Sequence, residues 1–164
     1  MSVLEILRWP DPKLSVVCDP VADVTSVRGL VGDMFDTMYD APGRGLAAPQ
    51  VGVLLRVFVM DVNWKTGEKT PVVCINPRIV AASDVLKTGD EGCLSITGVS
   101  ASVTRPEAVT LEYIDLEGVL QVDALDGAAA KCAQHELDHL DGLVTFDRLE
   151  PAVRAELIAQ FEAA

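Results

Sequence analysis

The stretch Gln134-His135-Glu136-Leu137-Asp138-His139 contains both histidines of the chain, four residues apart, in one H-E-x-x-H pattern. On an α-helix, residues four apart lie on the same face, one turn above each other. Two imidazoles placed this way can grip one metal ion, and the glutamate between them can reach a metal-bound water. A chain with only two histidines that sets both at this spacing points to a metal site rather than to a chance pattern on a solvated helix. The stretch also decides the fold: it makes 128–141 the central helix, started near Asp126 and stopped at Gly142, a residue suited to the position after a helix end.

Outward from that helix the pattern is mixed. Val27, Leu30, Val31, Met34, Phe35 and Met38 recur at helical spacing, with Thr25 or Ser26 as the cap, and Pro42-Gly43-Arg44-Gly45 ends that helix. Residues 53–62 read as a strand, 63–69 as a polar loop around Gly67, and 72–80 as a second strand that Pro77 places near a sheet edge. Residues 109–115 and 119–125 flank Glu117-Gly118 as a hairpin, and 152–161 is a short last helix. Strands in the middle with helices around them predict an α+β fold, a single domain over 1–164, with antiparallel sheets around the H-E-x-x-H helix.

Composition bounds the function. At 164 residues and 49% hydrophobic, the chain can build a core without covalent staples. Cys18, Cys74, Cys93 and Cys132 are scattered with no C-x-x-C pair, which predicts reduced thiols in a cytoplasmic protein. Met1 to Pro10 already carries Glu5 and Arg8, so no signal peptide is expected, nor any membrane span. The net charge of −12 argues against a nucleic-acid-binding surface, DNA included.

A metal held by two histidines needs a third ligand. The metzincin continuation H-E-x-x-H-x-x-G-x-x-H fails, because Gly142 is in place but Thr145 stands where the last histidine should be. A thermolysin-like glutamate would come from Glu156 or Glu162, in a short terminal helix without the matching signature. A cysteine thiolate is the third choice, and Cys93, inside Glu91-Gly92-Cys93-Leu94-Ser95, stands out. A His/His/Cys set with an open fourth position suits catalysis.

At this point the chain resembles the peptide deformylases. Glu91 to Ser95 is similar to their E-G-C-L-S motif and Gln134 to His139 to their Q-H-E-x-D-H motif. Gly43-Arg44-Gly45-Leu46-Ala47-Ala48-Pro49-Gln50 is similar to G-x-G-x-A-A-x-Q, and all three stand in the family order. The resemblance implies that Cys93, His135 and His139 bind one divalent metal, usually Fe(II), which zinc, nickel or cobalt can replace. It implies that Glu136 is the general base and acid, and that the Gln50 side-chain amide and the Leu94 backbone N–H steady the oxyanion. Gly45 would hold backbone close to the substrate. Glu91 falls within the substrate-binding motif and, with Arg105, matches a family ion pair that braces it. The reaction implied is removal of the formyl group from formyl-methionine at the start of a nascent chain. The chemistry suits a poor electrophile: the metal acidifies its water, donors stabilise the developing oxyanion, and the glutamate carries the proton to the leaving amine. Cys132 is read as a small buried residue outside the ligand set, and Asp138 either as support for the site or as solvated.

Two departures from the family pattern stand out. Arg44, Ala128 and Lys131 occupy positions where typical members carry aliphatic residues around the first methionine. Either the two cations turn inward and suit another formylated or acylated substrate, such as an acidic one, or they snorkel to water. Thr97-Gly98 also stands where many members have proline and a polar residue. Finally, the segment from Glu150 has Arg154 against Glu150, Glu156 and Glu162, which argues against docking on the ribosome through a basic tail. A non-catalytic metal-binding protein is the third reading, and the intact Glu136 and Gln50 argue against it.

Overall fold

The computed structural model describes residues 2–164. A 3-10 turn, Val24–Val27, leads into α1, Arg28–Asp40. The chain then forms β1, Gly45–Ala47, and β2, Val57–Met60, followed by the long β3, Val72–Ala82. Two strands, β4, Leu86–Cys93, and β5, Ile96–Pro106, make a hairpin of their own. A second hairpin, β6, Ala108–Ile114, and β7, Leu120–Asp126, runs directly into α2, Gly127–Leu140, and α3, Pro151–Ala163, closes the chain. The five-stranded sheet has the order β1-β2-β3-β6-β7, antiparallel throughout. No helix among the described residues is long and apolar enough to cross a membrane.

Strand β2 shows why the helices sit where they do. All four of its residues are buried. Alternate side chains of a strand face opposite ways, so Val57 and Val59 join Val31, Met34 and Met38 of α1, while Phe58 and Met60 join Ala133 and Leu140 of α2. The sheet is therefore covered on both faces, and α2 is pressed against it by a stripe of small and aliphatic residues. A third cluster ties the hairpin to the chain ends: Leu14, Ile96, Val144, Phe146 and Phe161 pack together, with the Trp9 ring edge-on to Phe146 at 4.9 Å.

Helix α2 stops as expected. Gly142 has φ +78°, and the Leu143 N–H returns to the Asp138 carbonyl at 2.9 Å. A side chain at 142 would also meet the Ser15 backbone at 2.9 Å, so glycine is required twice over.

Three expectations need correction, and one element was missed. The strand placed over 53–62 is only Val57–Met60, because the backbone before it bonds to the N-terminal segment instead, Arg56 N–H to the Asp19 carbonyl at 2.8 Å. The cap before α1 is neither Thr25 nor Ser26: the helix is entered through the 3-10 turn, and Asp23 accepts from the Thr25 N–H at 3.0 Å. Pro77 does not mark an edge. β3 lies between β2 and β6, and the register shifts between Ile75 and Arg78, so the proline sits at a bulge where no ladder donor is needed. The β4–β5 hairpin was not foreseen as a pair of strands.

Candidate metal and catalytic site

Three elements meet at one point. The β4–β5 turn carries Cys93, Leu94 and Ser95, α2 carries His135, Glu136 and His139, and the 3-10 turn Ala48–Val51 after β1 carries Gln50. One donor atom each from Cys93, His135 and His139 lie within 4.8 Å of one another. The Cys93 Sγ stands 3.4 Å from His139 Nε2.

The histidines are prepared for a ligand role. His135 Nδ1 lies 3.0 Å from Glu91 Oε1. A carboxylate can only accept, so Nδ1 carries the proton and Nε2 is left as the donor atom. Burial, with the nearby charge of Arg105, holds the His139 ring well below the usual histidine range, in the neutral form that ligates. Three protein donors, one of them a cysteine sulfur, match a catalytic transition-metal centre. The residues present therefore fit a bound divalent ion.

Around this set the polar groups are fixed by neighbours. Both Glu91 oxygens are taken: Arg105 donates Nε to Oε2 at 2.7 Å and Nη2 to Oε1 at 2.9 Å. Arg105 Nη1 also reaches Asp138 Oδ2 at 2.9 Å, and Arg148 forks onto the same carboxylate at 2.6 and 3.0 Å. Burial would raise the Glu91 carboxyl, but the His135 and Arg105 hydrogen bonds outweigh it and hold it down at about 2. Glu91 is thus bound up inside the protein, and its placement among substrate-binding residues is corrected to that of a brace under His135. Asp138 is likewise buried support, not a solvated residue.

Glu136 is different. It is buried, and its Oε1 has no hydrogen-bond partner among the described residues. Burial pushes its carboxyl up to about 7, near the point where one group can both take and give a proton. Gly45 leaves room for it: a Cβ there would fall 2.5 Å from Glu136 Oε2 and 2.7 Å from Cys132 Sγ. The Gln50 amide is oriented at both ends. Its Oε1 accepts from the Ala47 N–H at 3.0 Å, and its Nε2 donates to Ser95 Oγ at 3.1 Å with Cys93 Sγ at 3.7 Å. Leu94 lies in the turn beside it, its side chain against Gly43.

A cleft of about 570 Å³ opens over the centre, and Arg44, Gly45, Gln50, Leu94, Ala128, Lys131, His135 and Glu136 all line it. Arg44, Ala128 and Lys131 lie towards its exposed rim, with Lys131 Nζ donating to the Asp90 carbonyl at 3.1 Å. Thr145 is buried in a separate 3-10 turn, Thr145–Arg148, and Glu156 and Glu162 are exposed on α3.

The sequence pattern described as polypeptide deformylase matches residues 3–155. The chain belongs to that family. Peptide deformylase from Afipia carboxidovorans is 45% identical over the whole chain and 96% of its own length. The Rhizobium meliloti peptide deformylase is 44% identical, with 95% of its length covered. Among solved structures, peptide deformylase from Ehrlichia chaffeensis in complex with actinonin superposes with a TM-score of 0.93 at 39% identity, over 99% of this chain and 98% of that one. A peptide deformylase from Legionella pneumophila gives 0.92 at 39%, over 99% and 95%. The deformylase family consists of metal-dependent hydrolases, and this chain is an enzyme of that type.

Three residues around the site of this deformylase-family chain were not visible in its sequence. Ser95 was quoted only as part of a motif, yet its hydroxyl holds the Gln50 amide. Arg148 has no local spacing that links it to Asp138; only the turn after α2 brings it back. Trp64, in a loop expected to be merely polar, donates its indole N–H to the Gly43 carbonyl at 2.8 Å and so reaches the cleft wall.

Proposed function

We propose that this chain hydrolyses the formamide of N-formylated peptides, formyl-methionyl nascent chains above all. The observation that carries the reading is the convergence, in one cleft, of the Cys93/His135/His139 donor set with a buried Glu136 whose Oε1 has no hydrogen-bond partner among the described residues. A purely structural metal site needs no such carboxyl.

Cys93, His135 and His139 would hold the metal, Fe(II) in our reading, with zinc, nickel or cobalt able to replace it. When bound, it supplies a Lewis acid that activates water and polarises the formyl oxygen. The protein does the rest. Glu136 accepts the proton of the attacking water and delivers it to the leaving amine, and a carboxyl placed near 7 can do both. The Gln50 Nε2–H and the Leu94 backbone N–H are the donors for the oxyanion, each worth about a hundredfold or more in rate when pre-positioned. Gln50 is pre-positioned because Ala47 holds its carbonyl end. Gly45 keeps backbone beside Glu136 where a peptide can lie.

The charge of α3, with Arg154 against Glu156 and Glu162, supports a substrate met without docking on ribosomal RNA through that helix.

The test is hydrolysis of formyl-Met-Ala-Ser by protein loaded anaerobically with Fe(II), alongside acetyl-Met-Ala-Ser and the Glu136→Gln variant. Turnover of the formyl peptide that falls about a hundredfold in the variant is the expected result. Absence of turnover in metal-replete protein would sink the reading.

A further inference from the structure

The chain has 13 lysines and arginines against 25 aspartates and glutamates. With so many acids, a cation has every chance of a carboxylate partner. Arg56, Arg78, Arg105, Arg148 and Arg154 have one. Three that have none among the described residues, Arg44, Lys65 and Lys131, line the same cleft. They come from three separate elements: the segment before β1, the loop after β2, and the first turns of α2. Lys131 is tethered to a backbone carbonyl and Lys65 lies 5.8 Å from the Trp64 ring centre, so neither charge is neutralised where it stands. The acids lining that cleft are few. Glu91 is bound to Arg105, Glu136 is buried at the floor, and Asp90 is the one exposed carboxylate.

We propose that this cationic rim selects N-formylated peptides bearing an acidic side chain within their first residues. The inference rests on the deformylation reading and narrows its substrate class. A carboxylate entering the cleft meets Arg44, Lys65 and Lys131 at short range, where the low-dielectric walls strengthen the attraction. The remainder of the protein acts oppositely. A net charge of −12 favours a cationic peptide at long range. The sign of the preference therefore separates the rim from the bulk field.

The experiment measures kcat/KM of the metal-replete enzyme on four C-terminally amidated peptides: formyl-Met-Ala-Ser, formyl-Met-Asp-Ser, formyl-Met-Lys-Ser and formyl-Asp-Ala-Ser. Amidation removes the free terminal carboxylate as a competing anion. The aspartate peptide is expected to exceed the lysine peptide at the same position by roughly fivefold or more. Comparing formyl-Met-Asp-Ser with formyl-Asp-Ala-Ser locates the position that the rim reads. The Arg44→Gln, Lys65→Gln, Lys131→Gln triple variant should bring the ratio to one or invert it, and Lys65→Gln alone should narrow it if the triple variant folds poorly. Lys13→Gln, an exposed cation outside the cleft, should leave the ratio where it was. Equal rates, a preference for lysine in the native enzyme, or a ratio that survives the charge removals would overturn the inference while leaving deformylation standing. No turnover of any of the four peptides would overturn both.

Discussion

Arg105 grips Glu91 through two parallel hydrogen bonds, and with its third nitrogen it also holds Asp138 on the helix of the histidines. One guanidinium thus joins the hairpin that carries Cys93 to the helix that carries His135 and His139. The fork geometry cannot be copied by an ammonium. Arg105→Gln leaves two buried carboxylates short of a cation, and the loss of stability should be about 3–5 kcal/mol, with Arg105→Lys intermediate. Chemical denaturation of both variants measures this; a loss below about 1 kcal/mol would show that Arg148 and His135 suffice.

Glu91 sets an acid limit on the fold. Its carboxyl sits at about 2 when folded against 4.5 ordinarily. Because the folded value is the lower one, its stabilisation is complete above pH 4.5 and is lost as pH falls towards 2, amounting to about 3 kcal/mol over that window. Melting of metal-free protein between pH 6 and 2.5 should show the decline, and Glu91→Gln, less stable at pH 6, should show a shallower one. Parallel curves for the two proteins would remove Glu91 from the account.

Cys93 and Cys132 both border the cleft, but only Cys93 shares the donor cluster. Elemental analysis should find about one metal per chain in the native protein and in Cys132→Ala, and a strong loss in Cys93→Ala. Full metal content in Cys93→Ala would take the thiolate out of the ligand set.

Glu136→Gln should retain the metal and the melting temperature, since the carboxyl lies outside the donor cluster and its Oε1 makes no hydrogen bond among the described residues. Its kcat should fall on the order of a hundredfold or more. A near-native kcat in metal-replete variant would assign the proton transfers to another group.

Trp64 is expected to act on substrate binding. Its N–H fixes the Gly43 carbonyl, whose residue also lies under the Leu94 side chain. Trp64→Phe keeps the ring against Tyr39 but removes the donor, a bond worth about 1 kcal/mol. A rise in KM of roughly fivefold with little change in kcat is the outcome sought by steady-state kinetics. A fall in kcat at constant KM would mean that the loop positions the oxyanion donors instead.

The helix of the H-E-x-x-H motif was legible because its signals are local: spacing along one face, a start at Asp126, a stop at Gly142. Strand β2 and the β6–β7 hairpin were legible for the same reason, through runs of apolar residues and a turn at Glu117-Gly118. The β4–β5 hairpin was not. Its inward positions include the charged Glu91 and Arg105, which only the motif resemblance paired, and Lys87, Thr88, Gly89 and Asp90 carry no apolar alternation. The roles of Ser95, Trp64 and Arg148 were hidden because each depends on a partner distant in sequence. The motif resemblance picked out Cys93, His135, His139 and Glu136, which the fold brings together, but it said nothing of Lys65, which matters only through its place on the cleft.

Cys93 and His139 stand 46 positions apart in sequence yet 3.4 Å apart in space. An ion bound between them is therefore also a cross-link, fastening the β4–β5 hairpin to α2 much as a disulfide closes a long loop. Stripping the metal should then loosen the hairpin before the sheet, and its amides should exchange with solvent faster while those of β2 stay protected. For this protein, loading state and hairpin mobility are two readings of one equilibrium. A preparation that has lost its ion would present a cleft with one wall held by Arg105 and the Phe146 cluster alone.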